Sequence, residues 1–186
     1  MATNGQINHL NYHQRRLEKS FQALFGGLNP HQLIKHLHPP LKGIHRIRVV
    51  YDKDQLDVTY HFYQVIHQNN FVLAQADFDY PFKYEDRSCF DQLKQKYPNE
   101  EIIFIKNGLI TDTTIANIAC FIDGIWLTPT TPLLEGTTRA RLLDEKKIEL
   151  ADITLERFKK AEKFALMNAL TDFYEVKNAT IRDLRD

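Results

Sequence analysis

The sequence predicts an α+β fold in two units, and three observations predict it. Up to about residue 79, helical periodicity gives way to strand alternation, the pattern of a small α/β unit. The character of the chain changes near Tyr80-Pro81. From about residue 82 onward, short β-branched runs recur between tight turns such as Asn107-Gly108 and Asp123-Gly124, which makes the second unit, 82–186, strand-rich.

Each element has a local cause. "GQINHL" reads as a strand running straight into a helix, with Asn11 as its cap, Gln14 three residues later as in a capping box, and Gly26-Gly27 as its stop. Between these, Leu17, Phe21, Leu24 and Phe25 recur at helical spacing and define a buried face. A short second helix is expected from Asn29-Pro30, ending at Pro39-Pro40. A β meander should follow. "IHRIRVVYD" and "QLDVTYHFYQVI" flank Asp52-Lys53-Asp54, and "FVLAQAD" comes after Asn69-Asn70 as its third strand. Leu56, Val58, Tyr60 and Phe62 alternate, so that strand turns one face to a core. Beyond Tyr80-Pro81 come a helix in "EDRSCFDQLKQKY" ended by Pro98, the strand "EIIFI", and two short strands around Asp123-Gly124. A helix from Thr137 to Lys147, a further strand and a last helix–strand pair complete the chain.

Composition narrows the classes of function. Lys+Arg and Asp+Glu are equal at 24 each, so no net field favours nucleic acid or an anionic membrane. No apolar run approaches the ~20 residues of a membrane span, and "MATNGQINHL" lacks the basic and then apolar regions of a secretory signal. Cys89 and Cys120 lie far apart without a C-x-x-C, which suits a reducing cytoplasm and two small near-core residues. His36 and His38 stand beside two prolines with no carboxylate or cysteine at ligand spacing, so no metal site is expected.

The stretch "GLITDTTIANIACFIDGIWLTPTTPLLEGTTR" is too rich in threonine and glycine for an ordinary core strand and too apolar for an ordinary loop. Gly136-Thr137-Thr138-Arg139 opens a helix whose free N–H groups, dipole and hydroxyls suit a phosphate, although a plain Thr-capped helix reads the same way locally. Asp112 supplies a single carboxylate, which could hold a pyridinium nitrogen or only a turn. Lys83 lies between Phe82 and Tyr84. Desolvation there would make its amine nucleophilic, whereas a snorkelling surface lysine would look identical. Arg15 and Arg16 form a pair on the first helix, one of which could reach an anion.

Four segments in order, "HQRRL", "FKYEDR", "ITDTTIANI" and "WLTPTTPLLEGTTR", resemble the class IV aminotransferases, the fold-type-IV enzymes of pyridoxal 5'-phosphate (PLP). That family includes branched-chain and D-amino-acid aminotransferases and 4-amino-4-deoxychorismate lyases. The resemblance implies a D-amino-acid-aminotransferase-like fold with a C-terminal pseudo-barrel, a PLP site completed in a homodimer, and Lys83 as the residue that carries the cofactor and moves the Cα proton. It implies that Arg16, Thr137, Thr138 and a strand amide at or near Ile118 bind the phosphate. Asp112 stands where the family usually has glutamate, one methylene longer. Ser88 stands where some members carry a tyrosine against the cofactor hydroxyl, and Tyr84 is no evident replacement. The family opens with a Phe-Glu-Thr-like strand, and this chain begins inside the hairpin that follows it. Length, the Lys83-to-Arg87 spacing and Ser88 point within the family to the lyase branch. Arg46, Arg48 and Arg87 are then candidates for the substrate carboxylates. A branched-chain or D-amino-acid aminotransferase, or a PLP-binding protein without turnover, would use the same Lys83, Asp112 and threonines.

Overall fold

The computed structural model describes residues 1–183 and divides the chain into two units, Met1–Val65 and Ile66–Asp186. In the first, β1 (Ala2–Thr3) and β2 (Gln6–Ile7) form a small hairpin whose turn residues Asn4 and Gly5 both adopt positive φ. With β3 (Ile44–Tyr51) and β4 (Leu56–Phe62) they make a four-stranded sheet in the order β2-β1-β3-β4. β3 and β4 pair from His45↔Phe62 to Tyr51↔Leu56, the hairpin that the Asp52-Lys53-Asp54 turn announces. Asp52 holds the turn by accepting from the N–H groups of Asp54 and Gln55, both at 2.7 Å. One face, with Ile47, Val49, Leu56 and Val58, packs against Leu17 of α1 (Leu10–Phe25) and Leu33 of α2 (Leu33–His36).

Two helix boundaries differ from expectation. α1 begins at Leu10 behind His9, which is left-handed at φ 52°, so Asn11 lies inside the first turn and caps nothing. Its stop at Gly26, φ 74°, is as expected. The second helix covers only Leu33–His36, because Asn29 turns its side chain onto the backbone N–H and C=O of His31 instead of capping a helix from Pro30.

The second unit is built on one branched sheet. Its strands are β5 (Asn70–Gln75), β6 (Glu101–Lys106), β7 (Leu109–Thr113), β8 (Asn117–Ile122), β9 (Ile125–Pro129), β10 (Glu149–Ala151), β11 (Lys163–Asn168), β12 (Asp172–Glu175) and β13 (Thr180–Asp183). The main order is β10-β9-β8-β7-β6-β5-β13; β11 joins on β8, and β12 on β11. Three helices accompany it: α3 (Ser88–Lys96), α4 (Thr137–Asp144) and α5 (Leu155–Lys159).

β5 is where the division of the chain departs from the sequence reading. It is not the third strand of the meander and does not belong with residues 1–79. It pairs parallel with β6 on one side and β13 on the other. The reason is in its pattern: Phe71, Val72, Leu73 and Ala74 are all buried, as in a strand covered on both faces. Alternate residues of β5 and β6 feed two cores. Phe71, Leu73, Ile103 and Ile105 enter one; Val72, Ala74, Ile102 and Phe104 enter the other, beneath α3. The chain's end also holds more strand than expected, because β11 and β12 form a hairpin before β13. No helix among the described residues is long and apolar enough to cross a membrane.

Phe104 is completely buried among Phe78 and Phe90, with ring centroids at 5.6 and 5.7 Å. Phe104→Ala should destabilise the protein by about 3–5 kcal/mol in urea denaturation. Leu150→Ala, at a half-exposed position of β10, should stay within about 0.5 kcal/mol of the parent.

Candidate active site

β7 and β8 meet through one registered pair, Asp112↔Asn117, and the four residues between them make the turn. Thr113 stabilises it: its N–H and hydroxyl both donate to the Ala116 carbonyl, while its oxygen accepts from the N–H of Ala116 at 3.0 Å. The two paired side chains, both almost wholly buried, continue the contact beyond the ladder. Asn117 Nδ2 donates to Asp112 Oδ1 at 2.6 Å and to the Leu134 carbonyl at 2.8 Å. The Leu134 N–H donates to Asp112 Oδ2 at 2.8 Å, and the Gly136 N–H to Asn117 Oδ1 at 3.1 Å. Two strand residues thereby hold the segment that leads into α4.

Gly136 is required here for space. Its φ of −72° is open to any residue, but a Cβ would stand 2.0 Å from Asn117 Oδ1. Gly136 stands at the cap position of α4 with no side chain, so the first N–H groups of the helix, those of Thr137, Thr138 and Arg139, receive no cap from it. Arg139 is itself buried: one guanidinium nitrogen donates to the Pro129 carbonyl at 2.8 Å, and its Nε has no partner among the described residues. The result is an uncapped helix start with two threonines, a buried cation and a buried carboxylate behind it.

Burial drives Asp112 up to about 7. The Leu134 amide, the Asn117 side chain and the charge of Arg139 pull the other way. Burial lowers Arg139 from the ordinary arginine range, and Asp112 and Glu135 oppose that.

The other residues singled out in the sequence fall as follows. Ile118, fully buried on β8, pairs with Leu166 of β11, and its carbonyl accepts from the Thr128 hydroxyl at 2.8 Å. Lys83 is exposed, on the segment between β5 and α3 that has neither helix nor strand, and Tyr84 beside it is 39% exposed. The aromatic neighbours therefore do not desolvate the lysine within this chain. Arg87 stands at the head of α3 and donates to the Thr114 carbonyl at 2.7 Å. Arg16 lies half-buried on α1, and Arg46 and Arg48 lie exposed on one face of β3, all three in the first unit. The structure thus hydrogen-bonds Asp112, through Asn117, to Gly136, the residue after which Thr137, Thr138 and Arg139 open α4. Asn117, at the end of "ITDTTIAN", has no role assigned from the sequence. An amide inside the apolar run "IANIACFI" was the available signal.

The family model for amino-transferase class IV matches residues 89–179, a stretch that holds Asp112, Ile118, Thr137 and Thr138 and begins just after Lys83 and Arg87. An uncharacterized protein of Haemophilus influenzae is 34% identical over 174 residues, covering 90% of this chain and 93% of that one. A Haemophilus somnus protein, whose crystal structure is provisionally described as that of a 4-amino-4-deoxychorismate lyase, is 34% identical. It superposes at a TM-score of 0.83 over 91% of this chain and 93% of its own. A Mesorhizobium loti protein provisionally described as an amino-acid aminotransferase shares the fold, at 24% identity, a TM-score of 0.77 and 90% of both chains. The chain belongs to the class IV aminotransferase family.

Two outcomes test the clamp. Gly136→Ala should lower stability by at least 1–3 kcal/mol, about the cost of leaving buried polar groups unpaired, as read by thermal denaturation. The pH dependence has a definite sign. Folded Asp112, at about 7, binds its proton more readily than the unfolded side chain at 3.8. Its contribution to stability is therefore greatest below about pH 4 and is lost as pH rises toward 7. Melting temperatures of the cofactor-free protein should show that slope, and Asp112→Asn should flatten it.

Proposed function

We propose that this protein is a PLP-dependent enzyme acting on the amino group of a small amino acid, and that its reaction is the 4-amino-4-deoxychorismate lyase reaction, which releases pyruvate and leaves 4-aminobenzoate. The observation that carries the cofactor is the uncapped start of α4, held by Asp112, Asn117 and Gly136 in a chain of the class IV family. The provisional description of the Haemophilus somnus protein, similar over nearly the whole chain, supports the lyase reaction.

The residues present fit the cofactor. Backbone N–H groups at the head of α4, the hydroxyls of Thr137 and Thr138 and a strand amide near Ile118 would bind its phosphate. Asp112 would accept from the ring nitrogen. Each of its oxygens accepts a protein hydrogen bond here, and a carboxylate has lone pairs for more. A protonated ring nitrogen would then draw Asp112 down from about 7 toward the ionised form.

When bound, PLP supplies an electron sink for charge that develops at the substrate Cα. Lys83 would hold it covalently through its amine and, once freed, would take and return the Cα proton. The working form in this reading is a cytoplasmic homodimer.

PLP-loaded protein should absorb near the visible edge, and borohydride should fix the cofactor on the peptide that contains Lys83. Lys83→Ala protein that still fixes PLP on that peptide would remove the lysine from its role. Pyruvate formation from 4-amino-4-deoxychorismate, run beside 2-oxoglutarate-dependent conversion of branched-chain and D-amino acids, decides the reaction. Transamination without pyruvate release would replace the lyase reading and leave the PLP site in place.

A further inference from the structure

We propose that Arg87 and Glu101 are positioning residues that fix the Lys83 segment to the turn following Asp112, with Thr114 as the joint between them. The proposal rests on the reading of Lys83 as the cofactor-carrying lysine, and it gives Arg87 a different task from the substrate contact that the family resemblance implies.

Glu101 is 1% exposed and opens β6, ahead of four apolar residues, Ile102 to Ile105. A carboxylate so placed persists only when its oxygens are matched by donors. Here the Thr114 N–H and hydroxyl both donate to Glu101 Oε1, at 2.8 and 2.6 Å, and Lys94 Nζ stands 3.7 Å from Oε2. Lys94 is held in turn by the Glu100 carbonyl at 2.5 Å. Thr114, two residues past Asp112, thereby commits both of its donors to the body of the sheet.

Its carbonyl is the group that receives Arg87, at 2.7 Å. The same guanidinium lies over the ring of Phe90, 5.0 Å from its centroid, and Phe90 is buried in the core beneath α3. Arg87 is thus gripped on two sides at the head of α3, four residues after Lys83. At its start the segment is tied to β6, where Lys106 donates to the Phe78 carbonyl at 2.8 Å. Nearer Lys83, the Tyr80 hydroxyl donates to the Tyr84 carbonyl, the Tyr84 N–H to the Phe82 carbonyl, and the Ser88 N–H to Asp86. The Arg87 bond ties the other end of the segment across the unit to the β7–β8 turn. An exposed lysine on a segment without regular structure needs such a tether to keep its amine in register with Asp112, since misplacement of about 1 Å can cost on the order of 10²-fold in rate. A guanidinium held this way is poorly placed to swing onto a substrate carboxylate.

The test compares Arg87→Ala, Arg87→Lys, Glu101→Ala and Glu101→Gln with the parent. Three quantities are read: borohydride-trapped PLP on Lys83 against time, affinity for pyridoxamine phosphate, which has no aldehyde for the lysine, and amide hydrogen exchange of residues 81–87 in cofactor-free protein. Arg87→Ala and Glu101→Ala should slow trapping at least 10-fold and speed exchange across 81–87. Affinity for pyridoxamine phosphate should change less than about 3-fold. Glu101→Gln keeps an acceptor oxygen for Thr114, and Arg87→Lys keeps a donor, so both should recover part of the trapping rate.

Arg87→Ala protein with parental trapping and exchange but a raised KM for the amino substrate would overturn the proposal and make Arg87 a substrate residue. An equal loss of pyridoxamine phosphate affinity and trapping would also overturn it, since that is what general unfolding of the site produces. A parent protein that takes up neither ligand would refute the PLP reading itself. In that case exchange across 81–87 still decides the tether: unchanged exchange in Arg87→Ala ends it, and faster exchange there upholds it.

Discussion

The two halves of the second unit's sheet meet at a contact between two buried polar side chains. Asp112 and Asn117 face each other at the one registered pair between β7 and β8, so the same two residues join the strands β13, β5, β6 and β7 to the strands β8 through β12. Four hydrogen bonds leave or link their side chains, and two of these end on the backbone N–H groups of Leu134 and Gly136. Each group is out of water, so the bonds stabilise the assembly less by their own strength than by the penalty incurred if any one is left open. The joint of the sheet and the seat of α4 are therefore one structure.

That economy has an electrostatic consequence. A carboxylate buried this deeply is drawn toward its neutral form, and Asp112 sits at about 7 in spite of its two donors and the charge of Arg139. Arg139 is likewise buried, with only part of its guanidinium satisfied. Each charge offsets the burial of the other only in part. A bound group that is cationic at one end and anionic at the other would relieve both, which is the charge pattern of a protonated pyridine carrying a phosphate.

Much of this was legible in the residues, and what was missed has a common cause. The β3–β4 hairpin, the Asn107-Gly108 and Asp123-Gly124 turns and the start of α4 at Thr137 are set by neighbours in sequence, and all lie where the pattern put them. Arg46 and Arg48 share an exposed face because alternation along a strand is a local rule. β5 was misassigned because its partners, β6 and β13, lie far away in the chain, and only its unbroken Phe71-Val72-Leu73-Ala74 run betrayed burial on both faces. The β11–β12 hairpin lacks a glycine turn and so passed unread. Glu101 looked like any charged residue at a strand's edge. Nothing local distinguishes it from a solvated glutamate until Thr114 is folded against it.

The identity of the bridging residue follows from what it has to do. Between an acidic carboxylate and the backbone leading into α4, the bridge must donate to Asp112, donate to the Leu134 carbonyl and accept from the Gly136 N–H, all from one short side chain. A carboxamide has two N–H donors and a carbonyl acceptor and carries no charge. Aspartate would present a second anion to Asp112 with nothing to donate. Serine or threonine has one donor where two are needed. Glutamine has the right groups on a longer stem, and the 2.0 Å clearance at Gly136 shows that the fit is already closed around the shorter one. Asparagine at 117 and glycine at 136 are thus two halves of one requirement: a neutral amide must approach the backbone so closely that the residue opposite can have no side chain. Gly136 therefore offers α4 no capping side chain, and the Asn117 side-chain carbonyl it makes room for accepts from its N–H.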